Sequence, residues 1–119
     1  MELRNFTLSE FDSPDKIGSS EIMDTDFLQM LDKARDIANT PFRITSGVRT
    51  EAHNKAVGGV DSSSHITGHA CDISAPASGQ KFAIINALLE VGFNRIGISH
   101  NFIHVDNDPN KVAGVIWTY

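Results

Sequence analysis

Met23, Phe27, Met30, Leu31, Ala34, Ile37 and Ala38 recur along the chain at steps of three and four. That spacing predicts an amphipathic helix over 25–39, with its apolar stripe turned to a core. Asp24 stands where an N-cap belongs, Met23 and Leu28 are placed to close a hydrophobic staple around it, and Asn39-Thr40-Pro41 stops the helix. Phe42 to Ser46 alternates as a strand does. Thr50 is placed to cap a short helix over 51–57, which Gly58-Gly59 ends. A Ser- and Gly-rich loop over 60–69 leads into a short buried strand, Ala70 to Ser74. Residues 80–91 (QKFAIINALLEV) read as a further amphipathic helix closed by Gly92. Arg95 to Ser99, Phe102 to Asp106 and Val115 to Tyr119 then follow as three strands with short connections. Ahead of all this, 12–22 (DSPDKIGSSEI) is a polar loop with Pro and Gly, and Phe6, Leu8 and Phe11 are candidates to anchor the N-terminal segment. The order favours an α+β fold, a small antiparallel sheet with helices packed on it, over a doubly wound one.

With 119 residues and neither an internal repeat nor a linker, the chain reads as one domain over 1–119. Hydrophobic residues at 40% and charged residues at 21% are ordinary globular composition and argue against disorder. The net charge of −5 disfavours a nucleic-acid partner held by phosphate neutralisation. No apolar run approaches the ~18 residues of a membrane span, so no membrane role is expected. Met1 to Phe6 lacks the basic-then-apolar order of a standard signal peptide. One cysteine, Cys71, allows no intrachain disulfide and no Cys-based metal site. It falls beside Asp72 on the buried strand, alternates away from it, and reads as a small buried hydrophobe.

A transition-metal site would therefore draw on carboxylates and the five histidines, 53, 65, 69, 100 and 104. His65 and His69 are four apart, but Thr67 and Gly68 intervene and no Glu follows His65, so the H-E-x-x-H pattern is absent. His65 can instead meet Asp72, if Gly68 permits a turn between them. Asp72 sits in the apolar run Ala70-Cys71-Asp72-Ile73, where an unpaired buried carboxylate is costly. A cation would relieve that cost; so would backbone N–H groups or an arginine. Both readings stay open on these residues alone. In the strand Phe102 to Asp106, His104 and Asp106 point to one side, with Asp106 placed to fix the tautomer of His104. Two histidines and one carboxylate, with a position left for water, form the donor set of catalytic rather than structural zinc.

Five segments resemble, in order, the zinc D-Ala-D-Ala carboxypeptidase family, which shares its fold with the Hedgehog signalling domain. They are Ser46-Gly47-Val48-Arg49-Thr50, His53-Asn54, Val57-Gly58-Gly59-Val60, Ser64-His65-x-x-Gly68-x-Ala70-x-Asp72 and Phe102-Ile103-His104-Val105-Asp106. The likeness is above all to short single-domain members of endolysin type from phages and prophages, and it spans roughly 6–119. It implies Zn2+ as cofactor, His65, Asp72 and His104 as metal ligands, Arg49 as the group that clamps substrate, and Ser64 as a further substrate contact. It implies hydrolysis of peptide bonds in peptidoglycan stem peptides or cross-bridges. Peptidoglycan peptides would be the partner of a monomer, cytoplasmic until released or carried in a virion, that acts on the cell wall.

The chain departs from that family three residues before His104, where Asn101 replaces the carboxylate that serves as general base. An amide takes no proton at neutral pH, so His100 and Asp106 become the candidates for that role. The alternative is a zinc-binding module of the cell wall or virion that is catalytically weak or silent. Trp117 and Tyr119 alternate to one face of the last strand, where packing is the default role and the rim of a cleft the other.

Overall fold

Residues 2–119 are described by a computed structural model. The strands β1 (Ile44–Ser46), β2 (Ala70–Ser74), β3 (Arg95–Ile98), β4 (Phe102–Asp106) and β5 (Val115–Thr118) form one sheet in the order β1-β2-β4-β3-β5. The helices are α1 (Thr25–Ala38), α2 (Glu51–Ala56) and α3 (Ser78–Glu90). The fold is α+β, as expected. The sheet is mixed: β1–β2, β2–β4 and β3–β4 are antiparallel, and β5 runs parallel to β3. Both sides of β4 are taken, by β2 and β3, and β4 ends beside the start of β3. The 107–114 connection therefore lays β5 along the open edge of β3 in the same direction, and the N–H groups of Gly114 and Val115 both donate to the carbonyl of Asn94 there.

Alternation divides the sheet into two faces. Cys71, Ile73, Ile96, Ile103 and Val105 are fully buried and join Phe27 and Leu31 of α1 and Ile84 and Leu88 of α3 in the core. Cys71 is the small buried hydrophobe its position suggests, and burial pushes its thiol well above the usual pKa. The opposite face carries Asp72 and His104.

α1 starts where its cap predicts: the Asp24 carboxylate accepts from the N–H of Phe27 at 3.0 Å, with Met23 and Leu28 both buried. It ends at Asn39, which adopts the left-handed conformation with φ 51°. Ile37 lies outside the buried stripe, 42% exposed. Asp32, inside the stripe, is buried and accepts from the N–H groups of Arg4 and Asn5 at 2.8 and 2.9 Å. This tie brings Phe6 and Phe11 into the core, with ring centroids 5.3 Å apart, while Leu8 stays half-exposed. Two short 3-10 turns, Leu8–Phe11 and Ser19–Ile22, occupy the N-terminal segment, the second inside the stretch expected as loop.

Candidate metal centre

The register of the sheet sets Ser46, Asp72, His104, Gly97 and Trp117 opposite one another in a row across all five strands. Asp72 and His104 are therefore cross-strand neighbours on the face away from the core. His65 arrives over them on the 60–69 loop. Gly68 makes the turn expected of it at φ 77°. The N–H of Arg49 donates to the carbonyl of His65 at 3.1 Å, which fastens that loop to the chain just before α2.

The imidazoles are oriented from behind. His65 Nδ1 lies 2.8 Å from the carbonyl oxygen of Gly47. A carbonyl only accepts, so Nδ1 carries the proton and Nε2 is left free. His104 Nε2 lies 2.7 Å from a carboxylate oxygen of Asp106, leaving Nδ1 to face Asp72. The free atoms converge: His65 Nε2 and His104 Nδ1 are 3.4 and 3.0 Å from the same Asp72 oxygen. One donor atom from each of the three buried residues falls within 4.8 Å of the others. Zinc bonds of about 2.0–2.2 Å at tetrahedral angles need donor atoms about 3.3 Å apart, so the residues present fit that ion.

Electrostatics point the same way. Burial alone would raise the Asp72 carboxyl, but hydrogen bonds from His104 and His65 outweigh it and hold Asp72 well below the usual carboxylate range. Burial alone would lower His104, yet Asp106 and Asp72 outweigh it and raise its pKa. Asp72 and Asp106 thus both favour positive charge beside the His104 ring.

Arg49 stands beside this group. Its Nη2 is 3.5 Å from the second oxygen of Asp72, Nε donates to the Ser46 hydroxyl at 3.1 Å, and Nη1 to Asn54 Oδ1 at 3.2 Å. Asn54 is buried and donates through Nδ2 to the carbonyl of Val60 at 2.9 Å, while its own carbonyl accepts from Gly59. The short helix and the Gly58-Gly59 turn therefore set the guanidinium through Asn54. The resemblance marks Asn54 within His53-Asn54 but gives it no role.

Arg95 and Asp108 also escape sequence reasoning. Arg95 Nε donates to Asp106 at 2.6 Å, and its guanidinium lies 5.1 Å from the Trp117 ring centroid. Asp106 is fully buried and accepts as well from the N–H of Asp108, so it braces His104 with both oxygens engaged. Ser64 lines the cleft, but its hydroxyl proton goes to Asp108 at 2.7 Å.

The cleft holds about 390 Å³, with Arg49, His65, Asp72, His104, Trp117 and Tyr119 among its lining. Trp117 takes the rim position: its ring centroid is 5.5 Å from that of His104. Gly97 makes this possible, because a Cβ there would meet the indole Nε1 at 2.7 Å. His100 is exposed in the turn between β3 and β4 and does not line the cleft. Asn101 is exposed in the same turn, its carbonyl accepting from Ala75. His69 turns to Thr67 Oγ1 at 3.0 Å, and His53 lies on α2; neither joins the metal-capable group found among the described residues.

A family model described as Peptidase M15 matches residues 4–106. The chain belongs to the peptidase M15 family. No curated protein matches it. M15 peptidases are zinc-dependent, in keeping with the donor set here. In this M15 family member the matched stretch holds all three donors together with Arg49, Asn54, Arg95 and Asp106, whereas β5 with Trp117 lies beyond it.

Asp106→Asn, which turns one accepting oxygen into a donor and removes the charge, should weaken zinc binding about 10–100-fold, the usual cost of altering the group behind a ligating histidine. Competition against a chromogenic chelator reads this directly. Unchanged affinity would mean that the orientation of His104 does not depend on the carboxylate.

Proposed function

We propose that the chain is a zinc-dependent peptidase that hydrolyses peptide bonds in peptidoglycan stem peptides or cross-bridges. It would be of D-Ala-D-Ala carboxypeptidase or endopeptidase type, in the manner of short endolysin-like phage proteins. The observation that carries this reading is the convergence of His65, Asp72 and His104 beside the Arg49 guanidinium in one open cleft. Zinc held there supplies Lewis acidity toward a carbonyl and lowers the pKa of a water. Arg49, fixed by Ser46 and Asn54, offers its remaining N–H groups to a peptide carboxylate or to the carbonyl under attack. Asp106 holds the imidazole of His104, and Arg95 holds Asp106. Trp117 forms one side of the cleft. The protein would act as a monomer on the cell wall, after release or from a virion. No helix among the described residues is long and apolar enough to cross a membrane.

One observation favours a second reading. The only carboxylates that line the cleft among the described residues are Asp72 and Asp106, and both are engaged. With His100 and Asn101 outside it, no unengaged carboxylate is at hand to act as general base. That suits a zinc-binding module of the wall or virion that cuts slowly or not at all.

Mass spectrometry of purified muropeptides, incubated with zinc-loaded protein and with the His65→Ala variant, separates the two. New products that vanish in the variant are expected, and their masses name the bond. Stoichiometric zinc without products would support the binding module.

A further inference from the structure

A second hollow, of about 430 Å³, adjoins the metal cleft, and Arg49 lines both. We propose that it is the subsite for a diamino-acid residue of the peptide, a long aliphatic side chain ending in an ammonium group. The inference rests on the peptidase reading for the identity of the peptide, but its binding test stands apart from cleavage.

The first argument is how the wall is built. Ile17 is 97% exposed and Ile22 53%, and both line the hollow with Ile66. A single exposed isoleucine needs no explanation. Here, however, the segment that displays Ile17 is tied down by polar contacts on both sides. The Asp12 carboxylate accepts from the N–H groups of Gly18 and Ser20 at 3.0 and 2.9 Å. The N–H of Ser13 donates to the Ser19 hydroxyl at 2.7 Å. The Thr50 hydroxyl donates to Asp15 at 2.6 Å, which locks the segment to the cap of α2 right beside Arg49. The wall is ordered before any ligand arrives, so little conformational entropy is lost when an apolar group seats on it.

The second argument is charge. Lys16, Glu21 and Glu51 also line the hollow, and among the described residues their side chains form no hydrogen bond or ion pair within the protein. An aliphatic stem laid on Ile17, Ile22 and Ile66 would bring a terminal ammonium to Glu21 or Glu51. A carboxylate on the same carbon, as in diaminopimelate, would meet Lys16. A plain aliphatic residue leaves these charges unused, and a purely acidic one would face two carboxylates. Because Arg49 lines both the hollow and the metal cleft, a peptide gripped in the hollow would reach the metal alongside that guanidinium.

The test uses the zinc-loaded full chain and two peptides, L-alanyl-D-isoglutamyl-meso-diaminopimelate and the same peptide with norleucine in the last position. Methyl NMR follows Ile17, Ile22 and Ile66 during titration. The diamino peptide is expected to shift these methyls and to bind about fivefold more tightly than the norleucine peptide. Glu21→Gln combined with Glu51→Gln should erase that preference. Ile17→Ser, at a position with no place in the core, should weaken the diamino peptide about fivefold without changing zinc content. Equal affinity for the two peptides, binding that leaves the isoleucine methyls unmoved, or no binding of either peptide would overturn the subsite. Cleavage is read on the muropeptide mixture instead, because the tripeptide lacks the D-Ala-D-Ala and cross-bridge bonds of the peptidase reading. Binding with the predicted preference but no cleavage would sink the peptidase reading alone, and cleavage without preference would sink the subsite alone.

Discussion

Asp72→Ala protein is expected to be recovered free of zinc under conditions that saturate the parent. Asp72 is the one anion among the three candidate donors, and both imidazoles face its oxygen. Its loss removes a ligand and leaves His65, His104 and Arg49 converging with no negative charge between them. A third of a binding free energy of about 10–16 kcal/mol corresponds to an affinity loss on the order of 10³-fold. Chelator competition and elemental analysis measure it, with His65→Ala expected to behave alike. Full zinc occupancy in either variant would remove that residue from the ligand set. Asp72→Ala should also melt earlier than the parent when both are metal-free, because Arg49 then keeps only Ser46 and Asn54 as side-chain partners.

The second large effect is expected at a residue with no side chain. A Cβ on Gly47 would lie 2.5 Å from the carbonyl oxygen of Phe11, 2.6 Å from its Cα and 2.8 Å from its carbonyl carbon. All three are backbone atoms, so no rotamer change relieves the clash. The segment is also pinned there, since the N–H of Val48 donates to that same oxygen at 2.8 Å. Gly47→Ala should destabilise the protein by about 3 kcal/mol, lowering Tm by roughly 10–15 °C. The carbonyl of Gly47 is also the acceptor that orients His65, so zinc affinity should fall a further 10–100-fold in the folded variant. Thermal melts with and without zinc, beside a chelator titration, read both effects. A Tm within two or three degrees of the parent would show that the 3-10 turn at Leu8–Phe11 gives way easily.

Much of the centre is legible before any coordinates. The alternation of Phe102 to Asp106 is enough to put His104 and Asp106 on one side of a strand. The apolar run around Asp72 marks a carboxylate that needs a compensating charge, and the structure supplies two imidazoles and an arginine. The meeting of Asp72 with His104 is written in neither segment, because it depends on the pairing register of β2 and β4. Arg95 meets Asp106 across the β3–β4 pairing and Asp108 meets Ser64 from 44 residues away, so no local pattern separates these two from ordinary polar residues. The parallel placement of β5 follows from which sheet edge is vacant, again a property of the assembled fold. The 3-10 turn Ser19–Ile22 is too short for periodicity to reveal. α3 begins at Ser78, ahead of the position its apolar spacing suggests, because Gln80 reaches back to accept from the N–H of Ala77 at 3.0 Å.

β2 and β4 give odd and even positions to two unrelated tasks. Along Cys71-Asp72-Ile73 and Ile103-His104-Val105, every second residue packs against the helices and the one between faces the cleft. Slipping either strand by one residue would bury a charge and expose an isoleucine at once, so frame is guarded from both sides of the sheet. Insertions and deletions within these two strands are therefore closed to this protein as routes of change. The 99–101 turn, the 107–114 connection and the loop ahead of α1 lie outside that constraint. New specificities can arise there by altering length, while the strands between can vary only by exchanging one side chain for another.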